Sequence, residues 1–420
     1  MKVKAVRLYG KKDLRFEEFE LRDIGPDEIL ARVVTDSLCM SSYKAMLQGS
    51  DHRCIPQSIA EFPIIMGHEL CGVVERVGEE VKDRFQAGES FAVQAKMYFD
   101  GVITSPGYSY TEYGGNATHI IVPAQVLRDG YVLKYKGGAC YKASMAEPIS
   151  CIVSALVSQY HLADNHKDHI MGLKQGGCMA ILAGCGPMGL GAAEVAMAME
   201  SRPRKIVITD IDARRMQRAK EVLKPKNGVE LVFVNAAEPD GAVEALLELT
   251  EASKGFDDVV VMAPVPGVIE TADHITGLDS CINFFAGPTK KDFYAAVNFY
   301  DVHYNYKHII GSSGGDLDDM KEALRLIETG AVNPALLISH VGGLNAAAAA
   351  TLNLPNIPGT KKLIYCGIDM ELTAIDDFAE KGRQDPLFAA LHEICARHSM
   401  LWSKEAEDYL LAHGKKILPE

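Results

Sequence analysis

Residues 179–190 read MAILAGCGPMGL, an apolar run followed by Gly184, Gly186 and Gly189 in G-x-G-x-x-G spacing. The run predicts a buried strand, and MGLGAAEVAMAME predicts the helix that the glycines open. A second run, KIVITD, ends at Asp210, 21 residues after Gly189. A strand, a glycine turn, a helix and a second strand ending in an acid fit an open parallel sheet that takes a dinucleotide. Gly184 permits the tight turn, Gly186 lets backbone approach a pyrophosphate, and Gly189 lets the helix pack on the sheet. Amide groups at the helix start then hold phosphate oxygens. Asp210 accepts hydrogen bonds from ribose hydroxyls and repels a 2′-phosphate, which favours NAD over NADP. Arg214 and Arg215 weaken that preference, because either can pair with such a phosphate. The plainer reading is a glycine turn that binds nothing; the four features together outweigh it.

The same texture continues in LVFVNA, DDVVVMA and CINFFAG. Short continuous apolar runs alternating with helices predict a doubly wound parallel sheet, placed over residues 151–312. Residues 1–150 differ: VVTDSL, CGVVERV, ESFAVQA and ATHIIVP are short β-branched runs broken by Gly and Pro, a mainly β region. Between the two, residues 146–174 read as helical, with YHLADNHKDHIMGLKQGG as a polar connection. Residues 313–420 begin with an amphipathic helix, DLDDMKEALRLIETG, ended by a glycine, then a strand, KKLIYCG, then two helical stretches. A chain of 420 residues exceeds what one hydrophobic core serves, so two domains are expected.

The formal charge of −13 argues against a nucleic-acid surface. The N-terminus lacks the apolar core of a signal peptide, and no run approaches the length that spans a membrane. Ten scattered cysteines without a CxxC pair read as reduced thiols, so the expected compartment is the cytoplasm.

A second constellation lies upstream. Residues 64–81 read IIMGHELCGVVERVGEEV, with Gly67, His68, Glu69, Gly72 and Gly78 at fixed intervals. Neighbouring residues on a strand face opposite ways, so His68 and Glu69 share a site only if the chain bends at Gly67. Imidazole and carboxylate together suit Zn²⁺, and Cys39 in DSLCMSSYK and Glu147 in MAEPISC are further ligand types. Taken singly, each has an ordinary structural reading: a core thiol, or a helix-start glutamate.

These motifs resemble the medium-chain, zinc-dependent alcohol dehydrogenase family over about residues 1–370. GHELCGVVERVGEEV matches that family's zinc signature, and EPIS with a glutamate ligand resembles its sorbitol dehydrogenase branch. DSLCMSSYK, AEPISC and the long tail are most similar to reductases of ketose 1-phosphates such as L-sorbose 1-phosphate. The resemblance implies a GroES-like catalytic domain, formed by 1–150 and the return of 313–420 with its helical extension, plus a Rossmann domain. It implies Cys39 and His68 as zinc ligands, with Glu69 or Glu147 completing the site. It further implies Ser41 as the hydroxyl that receives the substrate proton, and Arg215 beside the adenosine. The implied reaction is hydride transfer between NAD or NADP and a secondary alcohol or ketone of a polyol, ketose or sugar phosphate. A free-polyol or threonine-type dehydrogenase is the alternative, and a non-catalytic dinucleotide-binding protein a remote one. A homodimer or homotetramer is implied, with no nucleic-acid or membrane partner.

Three departures from the family pattern stand out. AKMYFDGVITSPGYSYTEYGGN has no cysteine where many relatives hold a structural zinc, so one ion per chain is expected. Lys44 stands where many relatives end the proton relay with histidine, and serves the relay or the substrate. GSSGGD replaces the branch's substrate-side residues. Lys44, Arg53 and Lys96 are the cations available for a substrate phosphate. His161, His166 and His169 do not share one helical face and read as a solvated connection.

Overall fold

The computed structural model describes residues 1–237 and 242–418; Pro419 and Glu420, the end of the segment that starts at 313, lie outside them. The chain forms two units, one of Met1–Pro148, Ala323–Glu328 and Ile338–Glu420, the other of Ile149–Glu322 and Thr329–Leu337.

The second unit is built on a six-stranded parallel sheet. Its order is Glu230–Asn235, Lys205–Asp210, Cys178–Leu182, Phe256–Val261, Thr276–Phe284 and His308–Gly311. Central strands of such a sheet are covered on both faces, which is why they read as unbroken apolar runs. Cys178–Leu182 is buried at every position. Gly186 caps the helix Pro187–Ala198, whose first residue is a proline already set to helical φ.

Two stretches differ from expectation. Helix Ala146–Val157 stops well short of residue 174, and a hairpin of Tyr160–Leu162 with His169–Met171 follows it. His166 and His169 are exposed, but His161 is buried at 4% exposure and is no solvated linker. Its Nε2 lies 3.2 Å from Asp258 Oδ1 and its Nδ1 2.8 Å from the Asp279 carbonyl oxygen. Strands of three residues are too short to show alternation, and the partners lie 97 and 118 residues away. The sixth strand, His308–Gly311, carries no long apolar run and has no clear mark in the sequence.

The first unit holds a three-stranded antiparallel sheet and an eight-stranded mixed sheet. Ile29–Leu38 runs through the latter, antiparallel to Leu70–Val77, to Lys361–Tyr365 and to His119–Val122. The register sets Asp36 opposite Leu70 and Leu38 opposite Lys362, which gathers three distant stretches at one strand end. Gly67 bends the chain with φ +93°, a conformation that disfavours any side chain, and a Cβ there would strike the Asp36 carboxylate and Asn116. Gly72 passes so close to the Phe91 ring that a Cβ would enter it.

The C-terminal helices are part of this core. Trp402, 1% exposed, donates through its indole N–H to Tyr365 Oη at 2.7 Å, and the Tyr365 hydroxyl donates to Glu407 at 3.0 Å. Glu407 also accepts from the backbone N–H groups of Cys140 at 2.7 Å and Tyr141 at 2.8 Å. No helix among the described residues is long and apolar enough to cross a membrane.

Candidate metal centre

Strand Ile29–Leu38 delivers Cys39, which stays extended at φ −116° and caps helix Met40–Gln48. The Gly67 bend delivers His68 and Glu69 ahead of strand Leu70–Val77. One ligand atom each from Cys39, His68 and Glu69 lies within 4.8 Å of the others. Among the described residues this is the one such group of three His, Cys, Asp or Glu side chains. His68 and Glu69 are buried and Cys39 half-buried. A thiol, an imidazole nitrogen and a carboxylate oxygen so close together form a donor set that fits zinc.

Glu147 sits in the first turn of helix Ala146–Val157, outside that trio. Its charge nonetheless acts on Lys361 and on Tyr108, both of which surround the ligands.

The carboxylate of Glu69 is already held. Lys361 Nζ donates to one of its oxygens and Ser37 Oγ to the other. Burial pushes the Glu69 carboxyl up to about 7, with the Lys361 ammonium pulling against it. Burial works to neutralise Lys361, yet the charges of Glu69, Cys39 and Glu147 and the hydrogen bond to Glu69 together outweigh it and hold the ammonium charged. Behind them the Glu69 backbone N–H donates to Asp36 Oδ1 at 3.0 Å, and Asn116 Nδ2 to Asp36 Oδ2 at 2.5 Å. Burial, then the Glu69 charge, raises the Asp36 carboxyl well above the usual range. A cation arriving at Glu69 therefore competes with an ammonium group for a buried carboxylate.

His68 is oriented from its far side, with Nδ1 3.3 Å from Ser42 Oγ, which leaves Nε2 facing the ligand cluster. Ser41, in the first turn of the helix, donates to Cys39 Sγ at 2.9 Å and lies 3.3 Å from His68 Nε2. Lys44 is half-buried on the same helix, Arg53 is exposed, and Lys96 is half-buried with its ammonium over the Tyr98 ring.

At the other predicted site, a Cβ on Gly189 would meet the Gly184 carbonyl, whereas Gly186 faces open space. Asp210 is buried and accepts from Cys185 N at 3.1 Å and Asp212 N at 3.0 Å. Asp212 caps the next helix by accepting from the Arg214 and Arg215 amides. Arg215 Nε stands 3.8 Å from the Asp212 carboxylate.

Sequence reasoning did not find Lys361, Asp36 or Tyr108. Two lysines opening the strand KKLIY offered a faint signal, since both are buried.

Residues 25–129 match the alcohol dehydrogenase GroES-like domain and residues 187–329 the zinc-binding dehydrogenase domain. The chain is 46% identical over 413 residues to mannitol-1-phosphate 5-dehydrogenase of Aliivibrio fischeri, covering 97% of each chain. It is 41% identical over 413 residues to L-sorbose 1-phosphate reductase of Klebsiella pneumoniae, covering 98% of each. The chain belongs to the zinc-binding dehydrogenases. As a zinc-binding dehydrogenase it is an oxidoreductase of small molecules that works with a dinucleotide. The fold agrees: 2R,3R-butanediol dehydrogenase from Bacillus subtilis matches with a TM-score of 0.72 at 22% identity, covering 87% of this chain and 99% of that one.

Proposed function

We propose that this dehydrogenase moves a hydride between NAD(P) and the secondary alcohol or ketone of a phosphorylated hexitol or ketose. The observation that carries this reading is the buried trio of Cys39, His68 and Glu69 in a chain whose full-length relatives are named for hexitol and ketose phosphates. L-sorbose 1-phosphate with sorbitol 6-phosphate is the first substrate pair to consider, and mannitol 1-phosphate the second. Zinc, one ion per chain, would be held by Cys39, His68 and the carboxylate of Glu69 or Glu147, and supplies a Lewis acid for the substrate oxygen.

The chain's own groups do the rest. Ser41 takes the alcohol proton in oxidation and returns it in reduction, exchanging it with the nicotinamide ribose. Ser42 keeps the His68 ring turned so that Nε2 stays with the ligands. Gly186 makes room for the pyrophosphate, Gly184 and Gly189 let the turn and the helix pack behind it, Asp210 sits at the ribose and Arg215 flanks the adenosine. Lys44 serves the substrate phosphate or the end of the proton path. A cytoplasmic homodimer or homotetramer, paired through sheet edges, completes the reading.

Steady-state kinetics test it. With NAD⁺ and NADP⁺ in turn, kcat/KM for sorbitol 6-phosphate or mannitol 1-phosphate is expected to exceed that for free sorbitol by at least about 100-fold, the discrimination of one well-paired charged group. Equal values would overturn the phosphate assignment and leave a free-polyol dehydrogenase.

A further inference from the structure

Ser41 has a partner that the proton path described above does not use. Tyr108 comes from a loop 67 residues downstream, and its hydroxyl donates to Ser41 Oγ at 2.9 Å. The ring is 6% exposed and lies between two imidazoles, 5.2 Å from His52 at an interplanar angle of 19° and 5.1 Å from His68. The loop is fixed against the ligand bend. Gly107 turns at φ +80°, and a Cβ there would strike the Gly67 carbonyl. Tyr108 N bonds back to the Ser105 carbonyl at 3.2 Å, and Ser109 Oγ donates to the Cys54 carbonyl at 2.9 Å. Tyr108 therefore has little freedom to leave Ser41.

We infer that Tyr108 is the positioning residue for Ser41, holding its one hydroxyl proton toward the metal ligands. A serine hydroxyl has one hydrogen and two acceptor lone pairs. A phenol is protonated at neutral pH, so Tyr108 supplies a standing donor to one lone pair. With that direction taken, the Ser41 hydrogen points to Cys39 Sγ, 2.9 Å away on the ligand side. A substrate oxygen brought to the ligands needs a donor at this place. Chained hydroxyls polarise one another, so Ser41 also becomes the better donor. This assignment rests on the function proposed above and adds to it a residue outside the helix that carries Ser41 and Lys44.

The test compares full-length, zinc-loaded wild type with Tyr108→Phe, Ser41→Ala and the double variant, using sorbitol 6-phosphate or mannitol 1-phosphate. Tyr108→Phe keeps the ring and is expected to keep its zinc and its KM within twofold, while kcat falls about tenfold, the scale of one lost hydrogen bond. In the Ser41→Ala background the same change is expected to have little further effect, because the Tyr108 hydroxyl, although it also meets Ser42, acts on the reaction through Ser41. A second readout does not need turnover: iodoacetate alkylation of Cys39, followed by mass spectrometry. Tyr108→Phe and Ser41→Ala are expected to change its rate by the same factor, at least twofold, and the double variant by no more. Independent penalties, loss of zinc in Tyr108→Phe, or wild-type kcat and alkylation in that variant would each overturn the inference. A wild type that turns over neither phosphate sinks the proposed function, and the alkylation series then decides the Ser41–Tyr108 pairing by itself.

Discussion

At the scale of single residues, the buried pair Glu69–Lys361 sits within the candidate metal site. Both side chains are almost wholly removed from water, at 1% and 5% exposure. Breaking a buried pair by removing one partner costs about 3–5 kcal/mol, because the other charge is left uncompensated. A metal ion held by Cys39, His68 and Glu69 would supply another cation to compensate Glu69. Lys361→Met is therefore expected to lower the melting temperature sharply in EDTA and far less with zinc present. Scanning calorimetry with and without the ion checks this, and an equal loss in both would mean that Lys361 does not compete for the carboxylate. Cys39, His68 and Glu69 were legible in the sequence because two of them are adjacent and all sit beside glycines or strand ends. Lys361 was not, since its partner lies 292 residues away and a lysine ahead of an apolar run looks like any surface residue. Tyr108 stood in a stretch notable only for lacking cysteine.

At the scale of elements, the parallel strands could be read because burial on both faces leaves a one-letter pattern, and MAILAG through CINFFAG kept it. The hairpin Tyr160–Met171 could not, since its stability comes from distant acids rather than its own alternation. Its hold on the sheet has a pH signature. Burial works against a charge on His161, but Asp258 and Asp279 outweigh it and raise the imidazole's pKa above the ordinary value. His308 and Lys174 are the other charged or titratable groups at Asp279. A group with a raised folded pKa stabilises fully below its unfolded pKa, about 6.5 for histidine, and loses that contribution as pH rises through the folded value. The melting-temperature advantage of wild type over His161→Asn is thus expected to be largest below about pH 6.5 and to shrink at higher pH. A gap that is constant with pH would show that His161 stays neutral.

At the scale of the whole molecule, the tail is a structural member of the catalytic unit. Lys4 Nζ donates to the Ile417 carbonyl at 3.0 Å, Ile417 N to the Gly367 carbonyl at 3.0 Å, and Glu407 ties the last helix to Cys140 and Tyr141. The two terminal helices were visible as amphipathic stretches, but nothing in their sequence said where they dock. Deleting residues 373–420 removes Trp402 from the Tyr365 hydroxyl and leaves the Cys140 and Tyr141 amides without their carboxylate. The deletion also strips the buried Phe378, Phe388, Leu391, Trp402 and Leu410 from the core, each worth about 1.5–3 kcal/mol, so the shortened chain is expected to lose its cooperative thermal transition and its soluble yield. A soluble, cooperatively melting truncation would show that the tail is an appendage.

The distance along the chain between Glu69 and Lys361 also sets an order of events at the ribosome. With the two residues 292 positions apart and about 5–20 residues added per second, the carboxylate emerges about 15–60 s before the ammonium. Throughout that delay Cys39, His68 and Glu69 are outside the ribosome without Lys361. Lys361 reaches Glu69 only once strand Lys361–Tyr365 is laid against Ile29–Leu38.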